Sequence, residues 1–471
     1  MEETILFLSH WIHTLQNKLI QLKGKEYTDI WETYSQHAEE HLIPWDYLYL
    51  NHRMPPRRQD GSIFLSIATF RDENCPTTVG EAFTKAAHPE RLFVGLVQQN
   101  CHDHCQSGVQ DHGGTINAPP DEDCHAIFCQ KFPNYCSQVR LLSMTENESL
   151  GPYAARFFAS KLWSGESWYM QIDAHTLFLQ DWDQISLDML HHAPSEKPIL
   201  SHYPPGHKMN LTAQAFKPGG RLCGPTFATN PKENQMIRLE GLGRYDRTKI
   251  DIPRFAPFAA AGYFVAHADF LKDVPFDPLL PWIFMGEEII MSTRLWTAGY
   301  DIFSPSQAVV SHVYVRQHKP KFWESVQRLL EGNQGELLEG LVLNRIKHQL
   351  GYPEAARDFI PKHLGKTLLA HISRYGMGTI RPLDEYLQLV GLDLLQKVVT
   401  ITNWCETGRV PPGMEHHQHL YPIENYVQEE DERRSREMQE ARHARQVVQK
   451  KRQKRQGKLG QTESHELILS I

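Results

Sequence analysis

A strand–helix–strand pattern near residue 62 limits the architectures open to this 471-residue chain. Residues 62–70 read Ser-Ile-Phe-Leu-Ser-Ile-Ala-Thr-Phe, which is typical of a buried strand. A helical stretch from Thr77 to Ala87 and a second apolar strand from Leu92 follow. Two strands joined by a helix are typically parallel neighbours. We therefore expect an α/β fold whose ligands bind at the carboxyl ends of the strands.

A further apolar strand leads into a candidate metal site. Residues 167–178 read Ser-Trp-Tyr-Met-Gln-Ile-Asp-Ala-His-Thr-Leu-Phe, and a predicted helix, Tyr153 to Ser164, precedes them. Side chains two apart in a strand face the same way, so Asp173 and His175 can reach one cation. A carboxylate and an imidazole suit Mn²⁺, Mg²⁺ or Zn²⁺ and leave coordination positions open for a diphosphate. The alternative is a surface or capping role, since Asp-x-His also occurs by chance.

Composition bounds the class of protein. With 41% hydrophobic residues, the chain can bury one catalytic domain of about 250 residues plus smaller parts. The apolar N-terminal stretch lacks a basic lead and falls short of the ~20 apolar residues that a membrane span needs. We expect no membrane span and a cytoplasmic location, with the nucleus as a second option. The net charge of -7 gives no general affinity for nucleic acid.

Four parts follow from changes in pattern along the chain. Residues 1–58 have helix-like spacing, 59–325 hold the α/β domain, 326–427 are mostly helical, and 428–471 form a charged tail that is disordered or a single helix. Within the third part, we expect helices at Leu337–Leu350 and Leu383–Thr400. The basic run near the end of the tail is a solvated face, a nuclear-localisation signal or a patch for an acidic partner.

Six cysteines crowd the region between residues 75 and 136, namely Cys75, Cys101, Cys105, Cys124, Cys129 and Cys136. With neighbouring histidines they resemble zinc ligands in kind but not in spacing. The alternative is an unligated or disulfide-linked loop, and disulfides would weaken the cytoplasmic assignment. The segment 101–136, which contains most of these cysteines, is an insertion, and we expect acceptor contacts there.

Several motifs, taken together and in order, resemble one family. They are Ser66-Ile-Ala-Thr-Phe-Arg-Asp, Lys161-Leu-Trp-Ser-Gly-Glu, Gln171-Ile-Asp-Ala-His, Lys197-Pro-Ile-Leu-Ser-His-Tyr-Pro-Pro-Gly, the stretch from 256 to 316 and Tyr375-Gly-Met-Gly-Thr-Ile-Arg. The chain resembles glycosyltransferase family 60. That family includes cytoplasmic enzymes that place N-acetylglucosamine on a hydroxyproline of the ubiquitin-ligase adaptor. It is related to the mucin-type polypeptide N-acetylgalactosaminyltransferases.

The resemblance implies a fold, a reaction and a metal site. The fold is of the GT-A type, with a mixed, mostly parallel central sheet and helical N- and C-terminal extensions. The reaction is metal-dependent transfer from UDP-N-acetylglucosamine to a protein hydroxyl, with retention of configuration and with Mn²⁺ or Mg²⁺. Asp173, His175 and His312 match the metal ligands. A structural role for His312 is the alternative, since a lone histidine after a strand is often structural.

The resemblance also implies which other residues bind substrate. Those matching nucleotide and donor contacts are Thr69, Arg71, Asp72, Arg156, Asp173 and Gly262, and those matching sugar or acceptor contacts are Glu287 and Glu288. The expected catalytic residues are Asp173, Glu287 and Glu288. Arg71 could instead form a structural ion pair, and the two glutamates could simply cap a helix N-terminus. If a glutamate were a general base, the reaction would invert configuration.

Two other classes of function stay open. One is a non-catalytic scaffold that binds nucleotide sugar without turnover. The other is a metallohydrolase built around the cysteine and histidine cluster and Asp173. The expected partners are a nucleotide sugar and a protein acceptor, with the ubiquitin-ligase adaptor as one candidate. The sequence leaves the acceptor and the oligomeric state open, a homodimer being one option.

Overall fold

The computed structural model describes most of the chain. The described residues are 1–106, 116–208, 211, 220–230, 233, 235–241, 252–315, 319–322, 330, 333–356, 361–400, 409–420 and 438–439. The chain forms two compact units, Met1–Thr400 and Ile401–Ile471, and each is described by itself. The described part of the second unit contains a 3-10 helix, Glu415–Leu420. The predicted tail, 428–471, lies outside the described residues except at 438–439.

Apolar runs of the first unit form short and medium-length strands. In chain order they are β1 (Ile63–Phe70), β2 (Leu92–Asn100), β3 (Cys105–Gln106), β4 (Ile116–Ala118), β5 (Val139–Thr145), β6 (Trp168–Asp173), β7 (Thr176–Phe178), β8 (Pro198–Ser201), β9 (Leu222–Phe227), β10 (Ile237–Gly241), β11 (Arg254–Phe255), β12 (Tyr263–His267), β13 (Asp301–Ser304), β14 (Val310–His312), β15 (Leu392–Asp393) and β16 (Val398–Val399).

Eight of these strands form the central sheet, in the order β11-β13-β8-β12-β6-β1-β2-β5. The pairs β1–β2, β1–β6, β2–β5 and β8–β13 are parallel, whereas β12 is antiparallel to both of its neighbours and β11 is antiparallel to β13. Four pairings of seven are therefore parallel. This confirms the expected α/β class with a mixed, mostly parallel central sheet.

Helices connect these strands and precede and follow the sheet. In chain order they are α1 (Glu2–Ile20), α2 (Tyr27–His37), α3 (Ile43–Leu48), α4 (Cys75–Thr84), α5 (Cys124–Lys131), α6 (Pro152–Ser160), α7 (Trp182–His192), α8 (Phe270–Asp273), α9 (Glu287–Thr297), α10 (Gln334–Leu350), α11 (Gly365–Leu368), α12 (Ile372–Tyr375) and α13 (Leu383–Val390). Two π-helical turns, Ala38–Leu42 and Tyr49–Arg53, flank α3. Short 3-10 helices of this unit are Pro89–Arg91, Pro133–Gln138, Glu146–Glu148 and Pro353–Ala356.

The first strand–helix–strand unit is β1, α4 and β2. The apolar residues of β1 from Ile63 to Ile67 are buried, as expected for a strand with neighbours on both sides. Proline occupies one of the first positions of both α4 and α6, where a missing backbone N–H costs no hydrogen bond. The α6 helix ends at Ser160, four residues before the predicted end, and residues 161–162 form a turn.

One predicted helix is too long. The sequence pattern predicts a helix over Leu383–Thr400, but α13 ends at Val390. Gly391 has φ of 70° at the C-cap, a left-handed conformation that glycine adopts readily and that ends a helix. The following residues form the antiparallel pair β15–β16. The predicted domain boundaries after residues 58, 325 and 427 stay predictions.

The clustered cysteines form disulfides, which was one of the two alternatives. The pairs are Cys75–Cys124, Cys101–Cys105 and Cys129–Cys136. Because zinc binds thiolates, sulfur atoms joined in disulfides are not available as its ligands. The first pair joins the start of α4 to the start of α5 and so fastens the insertion to the strand–helix–strand unit.

Membrane-spanning helices were not expected. Within the part of the chain that the structure describes, every helix is too short or too polar to span a bilayer.

Candidate active site

The candidate site lies at the carboxyl end of β6. Asp173 is the last residue of β6 and aligns with Ala68 of β1. Strand alternation predicts that Asp173 and His175 lie on one face of a strand, but the strand ends at Asp173 and residues 174–175 form a turn. The Thr78 hydroxyl donates to the Ala174 carbonyl at 2.9 Å, which supports this turn from α4.

A short antiparallel pair of strands places His312, which is distant in sequence, next to Asp173. After the turn, β7 pairs with β14, and Thr176 aligns with His312. As a result, His312 Nε2 lies 3.1 Å from Asp173 Oδ2 although 139 residues separate the two in sequence. The backbone N–H of Val313 donates to the His175 carbonyl at 3.0 Å and holds the same two segments together.

These three side chains fit a divalent cation. One ligand atom from each of Asp173, His175 and His312 lies within 4.8 Å of the others. His312 Nδ1 is buried and has no hydrogen-bond partner among the described residues. A carboxylate and two imidazoles are a donor set that suits Mn²⁺ or Zn²⁺. Asp72 Oδ2 lies 2.7 Å from His175 Nδ1, so its carboxylate orients the ring as carboxylates behind metal-bound histidines do.

Arg156, on α6, joins two carboxylates of the site. One arm of its guanidinium donates to Asp173 Oδ1 at 2.7 Å, and the other pairs with Glu287 Oε2. Burial opposes ionisation of Asp173, but the His312 hydrogen bond and the Arg156 charge outweigh it and hold the pKa of Asp173 well below its usual range. Burial raises the pKa of Glu287 in spite of the Arg156 charge. Asp173 is therefore an anion across the physiological pH range.

Glu288 is held by a separate set of hydrogen bonds. Its Oε2 accepts from the Tyr203 hydroxyl at 2.6 Å, and its Oε1 accepts from the Ala261 backbone N–H at 3.0 Å. Burial raises the pKa of Glu288 to about 7. Both protonation states of this carboxyl are thus populated near neutral pH.

Gly262 lies against the carboxylate of Asp173. A Cβ added to Gly262 would lie 2.8 Å from Asp173 Oδ2, closer than any ordinary contact. The absence of a side chain at this position therefore leaves the carboxylate in place and keeps the backbone open to a ligand.

A cavity of about 700 Å³ contains most of the predicted residues. Its lining includes Asp72, Arg156, Asp173, His175, Gly262, Glu287, Glu288 and His312. Thr69 and Arg71 are buried and do not line the described part of this cavity. Arg71 instead pairs with Asp121, Nε to Oδ2 at 2.8 Å, which is the structural ion pair considered as its alternative.

Some lining residues were not predicted. They include Phe70, Gln99, Tyr203, Phe284, Tyr314 and Phe322. Tyr203 lies inside the motif Lys197–Gly206 used for the resemblance, and Gln99 lies near the carboxyl end of β2, so the strand-end rule could have indicated it. The same rule could have indicated Phe70, the last residue of β1, whereas Phe284, Tyr314 and Phe322 come from segments outside the central sheet whose approach to it has no local sequence signal.

Comparison with known proteins connects this site to a family. The model of the family described as glycosyltransferase (GlcNAc) matches residues 62–396, which is more than half of the chain. A comparison with curated proteins finds no significant match.

Three solved structures illustrate the similarity. The crystal structure of GalNAc-T7 with UDP, GalNAc and Mn2+ is 14% identical over 71% of this chain and 60% of that chain, with a TM-score of 0.43. The crystal structure of S. aureus TarS is 13% identical over 78% of this chain and 54% of that chain, with a TM-score of 0.32. The crystal structure of S. aureus TarS 1-349 is 12% identical over 79% of this chain and 92% of that chain, with a TM-score of 0.30. The chain thus spans less than two thirds of the length of GalNAc-T7 and of the longer TarS chain.

Proposed function

The chain belongs to the glycosyltransferase (GlcNAc) family, and from this premise we propose that it transfers N-acetylglucosamine from UDP-N-acetylglucosamine to a hydroxyl group of a protein. One observation carries the proposal. Ligand atoms of Asp173, His175 and His312 lie within 4.8 Å of one another inside a cavity of about 700 Å³. Such a site can hold the cation that a nucleotide diphosphate needs.

The metal in this proposal is Mn²⁺ or Mg²⁺, held by Asp173, His175 and His312. When bound there, a divalent ion would supply positive charge that stabilises the diphosphate as a leaving group. Asp72 orients His175, and Arg156 keeps the Asp173 carboxylate aimed at the site while it pairs with Glu287. Arg156 therefore acts as a positioning residue in addition to the predicted contact with the nucleotide.

The glutamates have binding roles in this proposal. Glu287 is paired with Arg156, and both carboxylate oxygens of Glu288 accept hydrogen bonds, from Tyr203 and from the Ala261 amide. Carboxylates held in this way orient sugar or acceptor hydroxyls without having to abstract a proton. The proposal takes over the retention of configuration implied by family 60, with the leaving phosphate taking the acceptor proton. Inversion of the product anomer would instead indicate a glutamate acting as general base.

The acceptor in this proposal is a hydroxyproline-like hydroxyl of a protein, with the ubiquitin-ligase adaptor as the candidate that the resemblance names. The cytoplasmic location stays a prediction, and so does nuclear entry. The disulfides between residues 75 and 136 count against the cytoplasm, because its thiol pools keep cysteines reduced.

The test is the release of UDP from a panel of UDP-sugars by the purified full-length protein, with and without Mn²⁺. We expect metal-dependent release from UDP-N-acetylglucosamine. In Asp173→Asn the rate should fall by roughly 100-fold or more, because even residues behind a metal ligand are worth about 10- to 100-fold. The matched control is Asp188→Asn, which changes an exposed carboxylate on α7 and should keep full activity.

The outcomes separate the classes of function. Nucleotide binding without release, with or without candidate acceptors, would favour the scaffold hypothesis. No nucleotide binding, or equal activity in Asp173→Asn and the wild type, would contradict the proposal.

A further inference from the structure

One of the disulfides between residues 75 and 136 differs from the others in exposure. The cysteines of the other two pairs are at most 1% exposed, whereas Cys129 and Cys136 are half-buried. A thiol reductant attacks a sulfur atom directly, so it needs access to the bond. We therefore expect the Cys129–Cys136 disulfide to be the first that a mild thiol reductant opens.

A histidine lies against this disulfide. His125 and Cys129 are four residues apart on α5, and residues at this spacing are neighbours on one face of a helix. The ring Nε2 of His125 lies 3.5 Å from Cys129 Sγ. One ligand atom from each of His125, Cys129 and Cys136 lies within 4.8 Å of the others. The three side chains thus form one partly exposed cluster.

The spacing in this cluster suits a tetrahedral zinc ion. Zinc binds thiolate sulfur at about 2.3 Å and histidine nitrogen at about 2.0–2.1 Å, which places two such ligand atoms about 3.5 Å apart in a tetrahedral site. The separation of His125 Nε2 and Cys129 Sγ is also 3.5 Å. Two thiolates and one imidazole leave the fourth position to water, and zinc proteins use this set of ligands.

Packing holds the two segments of the cluster together in addition to the disulfide. Cys136 belongs to the 3-10 helix Pro133–Gln138, whose Tyr135 stacks on Phe83 of α4 with ring centroids 5.0 Å apart. Phe128 of α5 packs against the same ring, with centroids 5.1 Å apart. Because one ring of α4 contacts both segments, we expect them to stay neighbours when the bond between the sulfurs is broken.

We propose that Cys129, Cys136 and His125 form a zinc site that is controlled by the redox state of the two cysteines. A thiol reductant such as glutathione supplies two electrons and two protons to the disulfide and is itself oxidised to a disulfide. The two thiols then bind Zn²⁺ and release two protons, because the thiolate is the form that binds metal. These residues do not line the cavity that contains Asp173, and the proposal does not depend on the proposed function.

Such a site gives this part of the chain a cross-link in both redox states. A disulfide joins α5 to the 3-10 helix Pro133–Gln138 where thiols are oxidised, and a zinc ion joins the same residues where thiols are kept reduced. The Cys129–Cys136 disulfide therefore does not by itself exclude the predicted cytoplasmic location.

The test uses Co²⁺ as a spectroscopic probe for zinc in the full-length protein. A cysteine bound to Co²⁺ gives a sulfur-to-metal charge-transfer absorption in the near ultraviolet, whereas a site made of carboxylate and imidazole groups gives none. Co²⁺ bound at Asp173, His175 and His312 therefore does not contribute to this band. We expect no band before reduction. After treatment with glutathione and its anaerobic removal, the band should saturate at one Co²⁺ per chain and disappear when Zn²⁺ is added.

Three variants separate the ligands from the rest of the region. In Cys129→Ser with Cys136→Ser, the band should be absent. In His125→Ala, it should need roughly tenfold more Co²⁺ or beyond, since even residues behind a metal ligand are worth about 10- to 100-fold. The matched control is Cys101→Ser with Cys105→Ser, which removes another short disulfide and leaves the three ligands in place. It should keep the band and its Co²⁺ affinity.

Two further measurements make each outcome decisive. Mass spectrometry after alkylation of free thiols identifies the cysteines that glutathione has reduced, and circular dichroism checks that the protein is folded. Cys129 and Cys136 should be labelled before any other cysteine. A reduced protein that has no band overturns the proposal, and so does a band that persists in the double serine variant. Resistance of this disulfide to glutathione, earlier labelling of the buried pairs or unfolding on its reduction contradicts the redox control.

Discussion

Asp173 is the residue on which the candidate site depends. Its two carboxylate oxygens contact Arg156 and His312, and the backbone of Gly262 lies against one of them. Each of these neighbours comes from a different element of the sheet or its connections. The geometry of the site is therefore sensitive to changes of a single atom at this position.

At the residue scale, we predict that Gly262→Ala impairs metal-dependent activity without unfolding the protein. The added methyl carbon would lie 2.8 Å from Asp173 Oδ2, so the carboxylate must move. We expect the apparent affinity for Mn²⁺ in the UDP-release assay to fall by about tenfold or more, since displaced ligands bind metal poorly. Thermal unfolding should stay within a few degrees of the wild type.

The control for this change is Gly340→Ala on α10. An added Cβ there meets nothing within 4 Å, and alanine favours a helix over glycine by about 1 kcal/mol. This variant should keep the wild-type Mn²⁺ dependence and unfold at the same or a slightly higher temperature. A Gly262→Ala protein with an unchanged Mn²⁺ dependence would show that the position of the Asp173 carboxylate does not determine the affinity for Mn²⁺.

Among the elements, short ones position the site more than long ones do. The three-residue strands β7 and β14 bring His312 to Asp173, and a two-residue turn presents His175. The disulfide Cys75–Cys124 fastens α5 to α4, whose Thr78 supports that turn. The Cys75–Cys124 disulfide is thus connected, through α4, to the turn that carries His175, one of the predicted metal ligands.

At the scale of elements, we predict that the Cys75–Cys124 link stabilises the fold more than the Cys129–Cys136 link. The sequence separations are 49 and 7 residues, and a longer closed loop constrains the unfolded chain more. Replacing both cysteines of a pair by alanine should lower the free energy of unfolding by about 4 kcal/mol for the first pair and about 2–3 kcal/mol for the second. Urea denaturation measures both losses.

The wild type in reducing buffer is the control for both cysteine variants. Reductant should lower its stability at least as far as the larger of the two losses. Equal losses for the two pairs would contradict the loop-length argument, and indifference of the wild type to reductant would remove the objection to a cytoplasmic location.

On the scale of the Met1–Thr400 unit, a buried polar network joins the N-terminal helices to the rest. Asp46, on α3, is fully buried and accepts from the Tyr375 hydroxyl at 2.6 Å. It also pairs with Lys161 Nζ at 2.6 Å, just after α6. Burial lowers the pKa of Lys161, although the Asp46 charge opposes this effect. The ion pair therefore joins α3 to the residues after α6, and the Tyr375 hydrogen bond joins α3 to α12.

We predict that Asp46→Ala destabilises the whole unit. It leaves Lys161 buried without its partner, which costs about 3–5 kcal/mol in comparable sites. Urea unfolding followed by tryptophan fluorescence and by circular dichroism should give coincident transitions at a lower midpoint.

The double variant Asp46→Leu with Lys161→Met tests the reason for this loss. It removes both charges and should recover most of the lost stability, since apolar replacements of buried pairs are often neutral. A double variant as unstable as Asp46→Ala would indicate lost packing or the loss of the Tyr375 hydrogen bond, not an unpaired charge.

The sequence by itself determined the parts of this protein that depend on local pattern. The first strand–helix–strand unit, the strand that leads to Asp173 and the α/β class follow from hydrophobic periodicity and element order. The ordered motifs indicated a glycosyltransferase family. The residues predicted for the metal are brought together by the structure, and their role stays a prediction.

Only the tertiary structure decided how distant segments meet. Six cysteines allow fifteen pairings, and spacing could not select the three that form. Arg71 directly follows β1, yet it pairs with Asp121 and does not line the described part of the cavity, whereas Gln99 and Tyr203 do. The physical reason is that a side chain pairs with the group that lies nearest to it. The strand order and the loops decide which group that is, and packing across the whole Met1–Thr400 unit sets both.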